Sequence, residues 1–328
     1  MTASFWRDRP VLLTGATGLL GGHLGRALLD EGALVVALVR DAKPQSQWSR
    51  EELGARAIEV YGDCRDEAVL RRALVDNEID TVFHLAAQTL VGHATLDPQT
   101  TFETNIAGTW RLLEACRPLP HVRQIVLSSS DQAYGSQENL PFTESARLEG
   151  RQPYAVSKSC ADLIAQTYFS TYGTPVSTPR CGNFYGPGDL NWNRIVPGTI
   201  RSVLRGQRPI IRSDGKSLRD YIYIKDGVSA YMQLAQAMES RRELCGQAFN
   251  FGHSEPVSVL DLVRQITVAC GREDLEPQIL NEAKNEIKDQ SLDVSKAGEQ
   301  LGWRPQWSLE AGLREAVAWY RELLGEGE

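Results

Sequence analysis

The chain has 328 residues, of which 42% are hydrophobic and 23% charged, and its 35 Lys and Arg against 42 Asp and Glu give a net charge of −7. At roughly 150 residues per domain, this length suggests about two domains. The acidic balance argues against a nucleic-acid-binding protein, and no stretch approaches the roughly 18 apolar residues that a membrane helix needs. Residues 1–8 contain no apolar stretch of signal-peptide length, so we expect a cytoplasmic protein.

Short apolar runs alternate with segments of helical periodicity through the first half of the chain. Strands are predicted at residues 11–13, 33–39, 58–61, 81–85 and 125–127, and helices at residues 24–29, 69–75 and 105–116. Apolar strands that alternate with helices indicate an α/β fold, with a doubly wound parallel sheet covered by helices on both faces. The alternation ends near residue 180. Beyond it we expect a smaller, irregular lobe that finishes in an amphipathic helix at residues 309–324.

The cysteines are scattered along the chain, with no CxxC pair and no histidine at metal-ligand spacing; they are Cys64, Cys116, Cys160, Cys181, Cys245 and Cys270. Isolated cysteines of this kind are most often small buried hydrophobic residues. We therefore expect no structural zinc, no other metal site and no disulfide framework.

A glycine-rich turn follows the first predicted strand and opens a helix, with Gly15, Gly18 and Gly21 at GxxGxxG spacing. The first glycine permits a tight turn, the second lets the backbone approach a pyrophosphate, and the third allows close packing of helix on strand. The helix N-terminus at Leu19 and Leu20 presents N–H groups and a positive dipole end to phosphates. Glycines also accumulate in ordinary turns, but the strand–turn–helix context predicts dinucleotide binding. We assign residues 1–180 to a Rossmann-type NAD(P)-binding domain and residues 181–328 to a substrate lobe.

The choice between NAD and NADP depends on the residues that follow the second and third strands. An acid after the second strand suits the ribose hydroxyl of NAD, whereas an arginine suits the 2′-phosphate of NADP. Here Arg40 and Asp41 stand side by side. Asp63, after the third strand, is either a hydrogen-bond acceptor for the adenine amino group or a turn residue. The sequence favours NAD and leaves NADP open.

Tyr154 and Lys158 are spaced i, i+4 on a predicted helix, which places both side chains on one face. A lysine beside a phenol lowers the pKa of the phenol, and a bound nicotinamide cation would lower that pKa further. The phenolate can then take a proton from a substrate hydroxyl while hydride leaves the same carbon. Ser130, at the end of a strand, would hydrogen-bond the same oxygen. A tyrosine and a lysine at this spacing can also be an exposed helical pair, but the glycine turn upstream favours the catalytic interpretation.

Taken in order, these motifs resemble the extended short-chain dehydrogenase/reductases that act on nucleotide sugars, nearly from end to end. The resemblance rests on the glycine turn, Leu85-Ala86-Ala87, Asn105, the segment 128–135 and Tyr154-x-x-x-Lys158. It implies that Tyr154 is the catalytic base, that Lys158 orients the nicotinamide ribose, and that Ser130 polarises the sugar 4-hydroxyl. It also implies that residues 85–87 line the cofactor, that Asn105 supports the cofactor and the active-site loop, and that the chain forms a homodimer. The dimer would use the helices after Asn105 and Tyr154 in a four-helix bundle.

The second lobe carries further parts of the resemblance. Residues 180–189 and 193–197 look most like the CDP-glucose 4,6-dehydratase branch, whereas residues 215–221 look more like the 4-epimerases and the other dehydratases. The family's positions for Asn183 and Arg219 contact the nucleotide diphosphate, and Arg194 is a further candidate. An amide donor and a guanidinium both suit phosphate. A surface ion pair with Asp220 is the alternative for Arg219.

Two neighbouring residues separate the two enzymatic functions. Dehydratases of this family follow the catalytic hydroxyl with an acid and a base, and this chain has Asp131 and Gln132 there. Asp131 favours a 4,6-dehydratase, but the Gln132 amide does not accept a proton at neutral pH, which favours a 4-epimerase. A nucleotide-binding or sensing protein without turnover is the alternative of another class. The sequence leaves the nucleotide base and the sugar open.

Overall fold

The computed structural model describes residues 4–282, 287 and 289–325. In chain order, its strands are β1 (Pro10–Thr14), β2 (Leu34–Val39), β3 (Ile58–Tyr61), β4 (Thr81–His84), β5 (Gln124–Leu127), β6 (Ser129–Ser130), β7 (Val176–Cys181), β8 (Asn183–Tyr185), β9 (Ile210–Ile211), β10 (Leu218–Arg219), β11 (Tyr221–Tyr223), β12 (Ala248–Phe251), β13 (Val257–Ser258) and β14 (Gln278–Ile279). The helices are α1 (Leu19–Asp30), α2 (Gln47–Arg50), α3 (Glu67–Asp76), α4 (Val91–Leu96), α5 (Pro98–Phe102), α6 (Gly108–Cys116), α7 (Pro153–Tyr172), α8 (Ile195–Leu204), α9 (Ile224–Ser240), α10 (Val259–Ala269), α11 (Ser295–Leu301) and α12 (Leu309–Leu324).

The main sheet is parallel and has the order β12-β7-β5-β4-β1-β2-β3, with β6 as a short extension beside β7. Successive strand residues point to opposite faces of a sheet. Val11 and Leu13 of β1 accordingly pack into one hydrophobic cluster, whereas Leu12 packs into another. Both clusters are buried, which explains why the strand sequences are apolar throughout. The predicted Rossmann-type sheet with helices on both faces is confirmed.

The helix that precedes β5 begins earlier in the chain than the sequence predicted. Asp97 caps it by accepting a hydrogen bond from Thr100 N at 3.0 Å, and Pro98 occupies its first turn, where no N–H is required. A π-helical segment, Glu103–Ala107, joins α5 to α6. The predicted helix at 105–116 is therefore the second half of a longer one, and Asn105 lies in its π-helical segment.

Part of the chain beyond residue 180 returns to the main sheet. Strand β12 pairs with β7 from Ala248↔Thr178 to Phe251↔Cys181, and α9 packs against α1 and β5. The division at residue 180 stays a prediction. However, β12 belongs to the main sheet and α9 packs against it. The remaining second-half elements include short strand pairs and the mutually packed helices α8, α10 and α12. The predicted final helix is present as Leu309–Leu324.

A buried ion pair connects β7 of the main sheet to α7. Arg180, on β7, donates to both carboxylate oxygens of Asp162 on α7, at 2.8 and 2.9 Å, and both side chains are almost fully buried. Arg180 Nη1 also donates to the Tyr134 hydroxyl at 3.0 Å, and that hydroxyl donates to Asn250 Oδ1 on β12 at 2.6 Å. The network therefore ties α7, β7 and β12 to the turn that follows β6. No helix among the described residues is long and apolar enough to cross a membrane.

Candidate active site

The glycine turn lies at the carboxyl end of β1, where parallel sheets of this type bind nucleotides. Gly15 has φ +77°, and a Cβ there would lie 2.9 Å from the backbone nitrogen of Ala86 and 2.9 Å from the carbonyl carbon of Leu85. A Cβ on Gly21 would meet the carbonyl oxygen of Gly15. Helix α1 starts after Gly18 with no side-chain cap, so no side-chain oxygen covers the N–H groups at its start. The turn therefore fits a pyrophosphate, as NAD requires.

Thr14 and His84 hold the loop that faces this turn, a pair that sequence reasoning missed. Thr14 Oγ1 accepts hydrogen bonds from the backbone N–H groups of Leu85 (3.2 Å) and Ala86 (3.1 Å). Because both of these bonds use Thr14 Oγ1 as the acceptor, its hydroxyl proton is donated to Nδ1 of His84 at 2.8 Å. The imidazole proton then lies on Nε2. Burial lowers the pKa of His84 to about 3, so the ring is neutral. The loop Leu85–Ala87 is thereby fixed beside the glycine turn.

The predicted ribose and adenine contacts lie at the ends of β2 and β3. Arg40 donates from Nε to Asp41 Oδ2 at 2.6 Å, and both side chains are more than half exposed. Asp63 accepts from the backbone N–H of Arg65 at 2.8 Å and from its guanidinium at 2.9 and 3.0 Å. Although partial burial opposes it, this pairing with Arg65 lowers the pKa of Asp63. Asp63 is thus held as a carboxylate, and its role toward adenine stays a prediction.

Tyr154 and Lys158 lie on the first turns of α7 and are both buried, as their shared face predicted. Lys158 Nζ donates to the carbonyl oxygen of Ser128 at 2.9 Å. Asn105 Oδ1 accepts from the Gln88 N–H at 2.7 Å, and Asn105 Nδ2 donates to the Gln88 carbonyl at 3.0 Å. The π-helical segment thus fixes the loop after β4 beside α7, as expected of an active-site support.

Ser130 links the catalytic candidates to one another. Its hydroxyl donates to Asp131 Oδ1 at 2.9 Å and accepts from the Gln132 N–H at 3.2 Å, and it lies close enough to the Tyr154 phenol to oppose the rise in the pKa of that group. The Asp131 side chain is buried, and its Oδ2 has no hydrogen-bond partner among the described residues. The structure therefore brings Ser130, Asp131 and Tyr154 together at the carboxyl edge of the sheet. Gln132 contributes its backbone to this cluster.

Burial dominates the electrostatics of this cluster. It raises the pKa of Tyr154 to about 12 and that of Asp131 to about 7, and it lowers the pKa of Lys158 to about 8. The nearby cation that opposes the rise at Tyr154 is Arg194. In the chain without bound ligand, burial of the phenol therefore outweighs both the effect of this nearby positive charge and the lowering of the Tyr154 pKa that was expected from Lys158.

The three substrate candidates lie in the part of the chain beyond residue 180. Arg194 donates to Asp189 Oδ2 and to Thr89 Oγ1, each at 3.2 Å, and so spans from the second lobe to the loop after β4. Asn183 starts β8, and Arg219 ends β10 with Nη1 donating to the Leu218 carbonyl at 2.8 Å.

The acid next to Arg219 has a structural role. Asp220 is fully buried, and its carboxylate accepts backbone N–H groups of His253 (2.6 Å) and Ser254 (3.2 Å). The alternative of a surface ion pair between Arg219 and Asp220 therefore does not describe this acid. Arg219 instead contributes its positive charge to the environment of Asp131.

A Rossmann-type sheet with a glycine turn at its carboxyl edge and a Ser–Tyr–Lys cluster beside it defines a short-chain dehydrogenase/reductase. The family model described as GDP-mannose 4,6 dehydratase matches residues 12–316. The chain therefore belongs to this family, within the extended short-chain dehydrogenase/reductases, as its motifs predicted.

Relatives and solved structures are of the same kind. The chain is 30% identical to a CDP-glucose 4,6-dehydratase of Salmonella typhimurium, with 97% of this chain and 92% of that protein covered. It is similar to the structure of DesIV, a dTDP-glucose 4,6-dehydratase of Streptomyces venezuelae with NAD bound, at a TM-score of 0.87 and 29% identity, covering 97% of this chain and 99% of that one. It is equally similar to a UDP-glucose 4-epimerase of Thermotoga maritima, at a TM-score of 0.87 and 28% identity, covering 96% and 99%. NAD is the cofactor of this class, and the nucleotide-sugar interpretation is confirmed.

Proposed function

We propose that this protein is an NAD-dependent nucleotide-sugar 4,6-dehydratase, which converts its substrate into a 4-keto-6-deoxy sugar nucleotide. The observation that carries the proposal is the buried carboxyl of Asp131, which is hydrogen-bonded to Ser130 beside Tyr154. A dehydratase needs an acid at this place to expel the 6-hydroxyl, whereas a 4-epimerase has no proton to deliver there. The dehydratase relatives support the same conclusion.

The chain's own residues divide the first step between them. Tyr154 takes the proton of the sugar 4-hydroxyl, and the Ser130 hydroxyl beside it hydrogen-bonds the same sugar oxygen. Bound NAD supplies a hydride acceptor for C4 and the hydride that later reaches C6. Lys158, whose ammonium is anchored at Ser128, orients the nicotinamide ribose. Because burial raises the pKa of Tyr154 to about 12, the nicotinamide cation is needed to bring the phenol into a useful range.

The substrate is held at its diphosphate. We assign this role to Asn183, Arg219 and Arg194, because two guanidinium groups and one amide border the edge where the cluster lies. Guanidinium groups bind phosphate oxygens in pairs of hydrogen bonds and remain charged at any physiological pH. The charges of Arg194 and Arg219 already act on Tyr154 and Asp131, respectively, which supports their closeness to the reacting sugar.

A 4-epimerase is the second candidate, and Gln132 is the observation that favours it. The amide occupies the position where a dehydratase base is expected, and it does not accept a proton at neutral pH. Solved epimerases are as similar in fold to this chain as solved dehydratases are. An epimerase would use Tyr154 and Ser130 alike but would return the hydride to C4.

Incubation of the purified holoenzyme with a panel of nucleoside diphosphate hexoses, followed by mass spectrometry, separates these functions. A dehydratase gives a product lighter by one water. A product of unchanged mass whose sugar differs in configuration at C4 would instead establish the epimerase. Substrate recovered unchanged, with no reduced cofactor at any stage, would contradict both and favour a protein that only binds nucleotides.

We further propose a cytoplasmic homodimer built on α6 and α7, which pack against each other. Each helix exposes a large apolar side chain to solvent, Trp110 at 42% and Leu163 at 50%. Two copies of this helix pair would form a four-helix bundle that covers both side chains. Light scattering tests the assembly: Leu163→Glu should give monomers, and a wild type that is already monomeric would contradict the proposal.

A further inference from the structure

Elimination of water from C5 and C6 requires a group that takes the C5 proton and a group that protonates the departing 6-hydroxyl. Gln132 stands where the first of these is expected, and its amide does neither task at neutral pH. Its side chain makes no hydrogen bond with the described residues that would prepare it for catalysis, whereas its backbone N–H is used by Ser130. A different group of this chain must therefore move the C5 proton.

The other ionisable groups around the cluster are either hydrogen-bonded or poorly suited to accept a proton at neutral pH. Lys158 donates to the Ser128 carbonyl, and both carboxylate oxygens of Asp220 accept backbone N–H groups. The Cys181 thiol is buried against the Tyr231 hydroxyl at 3.8 Å, and burial raises its pKa to about 12. Nδ1 of His84 is hydrogen-bonded to Thr14, and its Nε2 has no partner among the described residues, but burial lowers the pKa of the ring to about 3, which makes it a poor base at neutral pH. Arg194 and Arg219 carry guanidinium groups, which donate hydrogen bonds and have no acceptor atom.

Asp131 differs from all of these in having one oxygen free. Its Oδ1 is fixed by the Ser130 hydroxyl at 2.9 Å, and Ser130 lies near the Tyr154 phenol. Its Oδ2 is buried and has no partner among the described residues. A carboxyl with one anchored oxygen is held in place, and its free oxygen can still exchange a proton. Burial raises its pKa to about 7, where a group can both accept and donate protons at neutral pH.

We propose that Asp131 alone performs both proton transfers of the elimination, an inference that rests on the dehydratase function proposed above. Oδ2 of the Asp131 carboxylate takes the C5 proton of the 4-keto sugar. The electron pair of the C5–H bond forms the C5–C6 double bond as the C6–O6 bond breaks with its pair on O6. The carboxyl then gives the proton to O6, and water leaves. The carboxylate is restored, and nothing is oxidised or reduced in this step.

One carboxyl acting at one face of the sugar predicts that the proton and the hydroxyl leave from the same side. It also predicts that removal of Asp131 stops proton removal from C5 as well as water loss. An enzyme with a separate base would behave differently, because without its acid it would still exchange the C5 hydrogen with solvent. Exchange at C5 therefore distinguishes one group from two.

The experiment compares Asp131→Asn with the wild type and with Asp76→Asn, an exposed aspartate at the end of α3. Each holoenzyme is incubated in D₂O with the nucleotide sugar that the wild type dehydrates. Absorbance of the reduced nicotinamide reports oxidation at C4, and mass spectrometry of the recovered sugar reports deuterium at C5 and loss of water. Reduced cofactor formed by Asp131→Asn shows that its active site is assembled.

We expect Asp131→Asn to form reduced cofactor, to lose water ~10²–10⁴-fold more slowly, and to leave C5 free of deuterium. Asp76→Asn should match the wild type. The double variant D131N/Q132E should regain deuterium at C5 without losing water, because the new glutamate takes the proton but no acid assists departure. Deuterium at C5 in Asp131→Asn itself would overturn the assignment. A wild type that turns over without losing water would overturn the proposed function, independently of any variant.

Discussion

Asn105 donates a hydrogen bond from Nδ2 to Ser157 Oγ at 2.9 Å, and both side chains are buried. Ser157 Oγ donates in turn to the carbonyl oxygen of Tyr154 at 2.7 Å. The same Asn105 amide holds the backbone of Gln88, so one side chain sets the distance between the loop after β4 and the first turn of α7. The position of Tyr154 therefore depends on a residue in a π-helical segment of a different helix.

We predict that Asn105→Ala lowers the free energy of unfolding by about 1–3 kcal/mol, because it leaves partly buried backbone groups of Gln88 without partners. Since Ser157 shares the network, Asn105→Ala and Ser157→Ala should not be additive, with a coupling of roughly 0.5–3 kcal/mol. Urea denaturation of the two single variants and the double variant measures this. The control is Asn77→Ala, which removes an amide bonded to Ala73 O at the end of α3. Its effect should add to that of Ser157→Ala, and additivity for Asn105 as well would contradict the coupling.

Tyr154→Phe should abolish turnover while NAD affinity stays nearly unchanged. The ring fills the same buried space, but the group that accepts the substrate proton is gone, which typically costs ~10²–10⁴-fold in rate. Initial rates and calorimetric titration with NAD measure the two effects. Tyr172→Phe, at the exposed end of the same helix, is the matched control and should have wild-type rates. Activity of Tyr154→Phe within a factor of a few of wild type would rule out Tyr154 as the base.

Gly18→Val should weaken NAD binding far more than it lowers stability. Gly18 has φ −84°, which any residue adopts, and a Cβ there meets only the Gly15 carbonyl oxygen, at 3.2 Å. The added side chain would instead occupy space at the start of α1 that a pyrophosphate needs. Calorimetry with NAD and thermal unfolding of the apoprotein test the two parts. Gly92→Val, at a glycine with open space around it, controls for the substitution itself, and unchanged NAD affinity of Gly18→Val would show that the turn is only structural.

Asp131 should make stability depend on pH. Burial raises its folded-state pKa from 3.8 to about 7, so folding favours the protonated carboxyl. The free energy of unfolding therefore falls as pH rises through this interval and stays lower above it. Asp131→Asn removes this titration and should be more stable than wild type by roughly 2–4 kcal/mol at about pH 8, with little difference near pH 4. Denaturation of both apoproteins across this range measures it. A variant that is less stable than wild type at the alkaline end would contradict the buried, unpaired carboxyl.

The local parts of the fold were predictable because they depend on short-range chemistry. The strand at Val11–Leu13 is apolar on both faces and the glycines follow it directly, so the turn and its ligand class could be inferred from the sequence. The Tyr154–Lys158 pair was predictable because an i, i+4 spacing fixes a shared face. The Thr14–His84 pair was not, since it joins side chains 70 positions apart and depends on which imidazole nitrogen carries the proton.

Electrostatic surroundings were the least predictable part of the site. The sequence shows that a lysine stands one turn from Tyr154, but it does not show that Ser128 engages this lysine or that burial outweighs its charge. Likewise, Asp131 and Gln132 are adjacent in the sequence. Only the fold shows that Asp131 has a buried oxygen without a partner and that Gln132 contributes its backbone N–H. The Arg180–Asp162 pair is of the same kind, because it needs β7 and α7 to be packed together.

The return of the chain to the main sheet at β12 limits how this protein can be divided. A fragment that ends at residue 180 would leave β7 with an unpaired outer edge and would lack α9 over β5 and α1. Such edges promote aggregation. During synthesis, the cofactor layer is not complete until residue 251 has left the ribosome. A chimaera that combines the cofactor domain of one relative with the substrate-binding segments of another therefore needs two junctions, one on each side of residues 224–251. The segment that completes the sheet then comes from the same protein as the rest of the sheet.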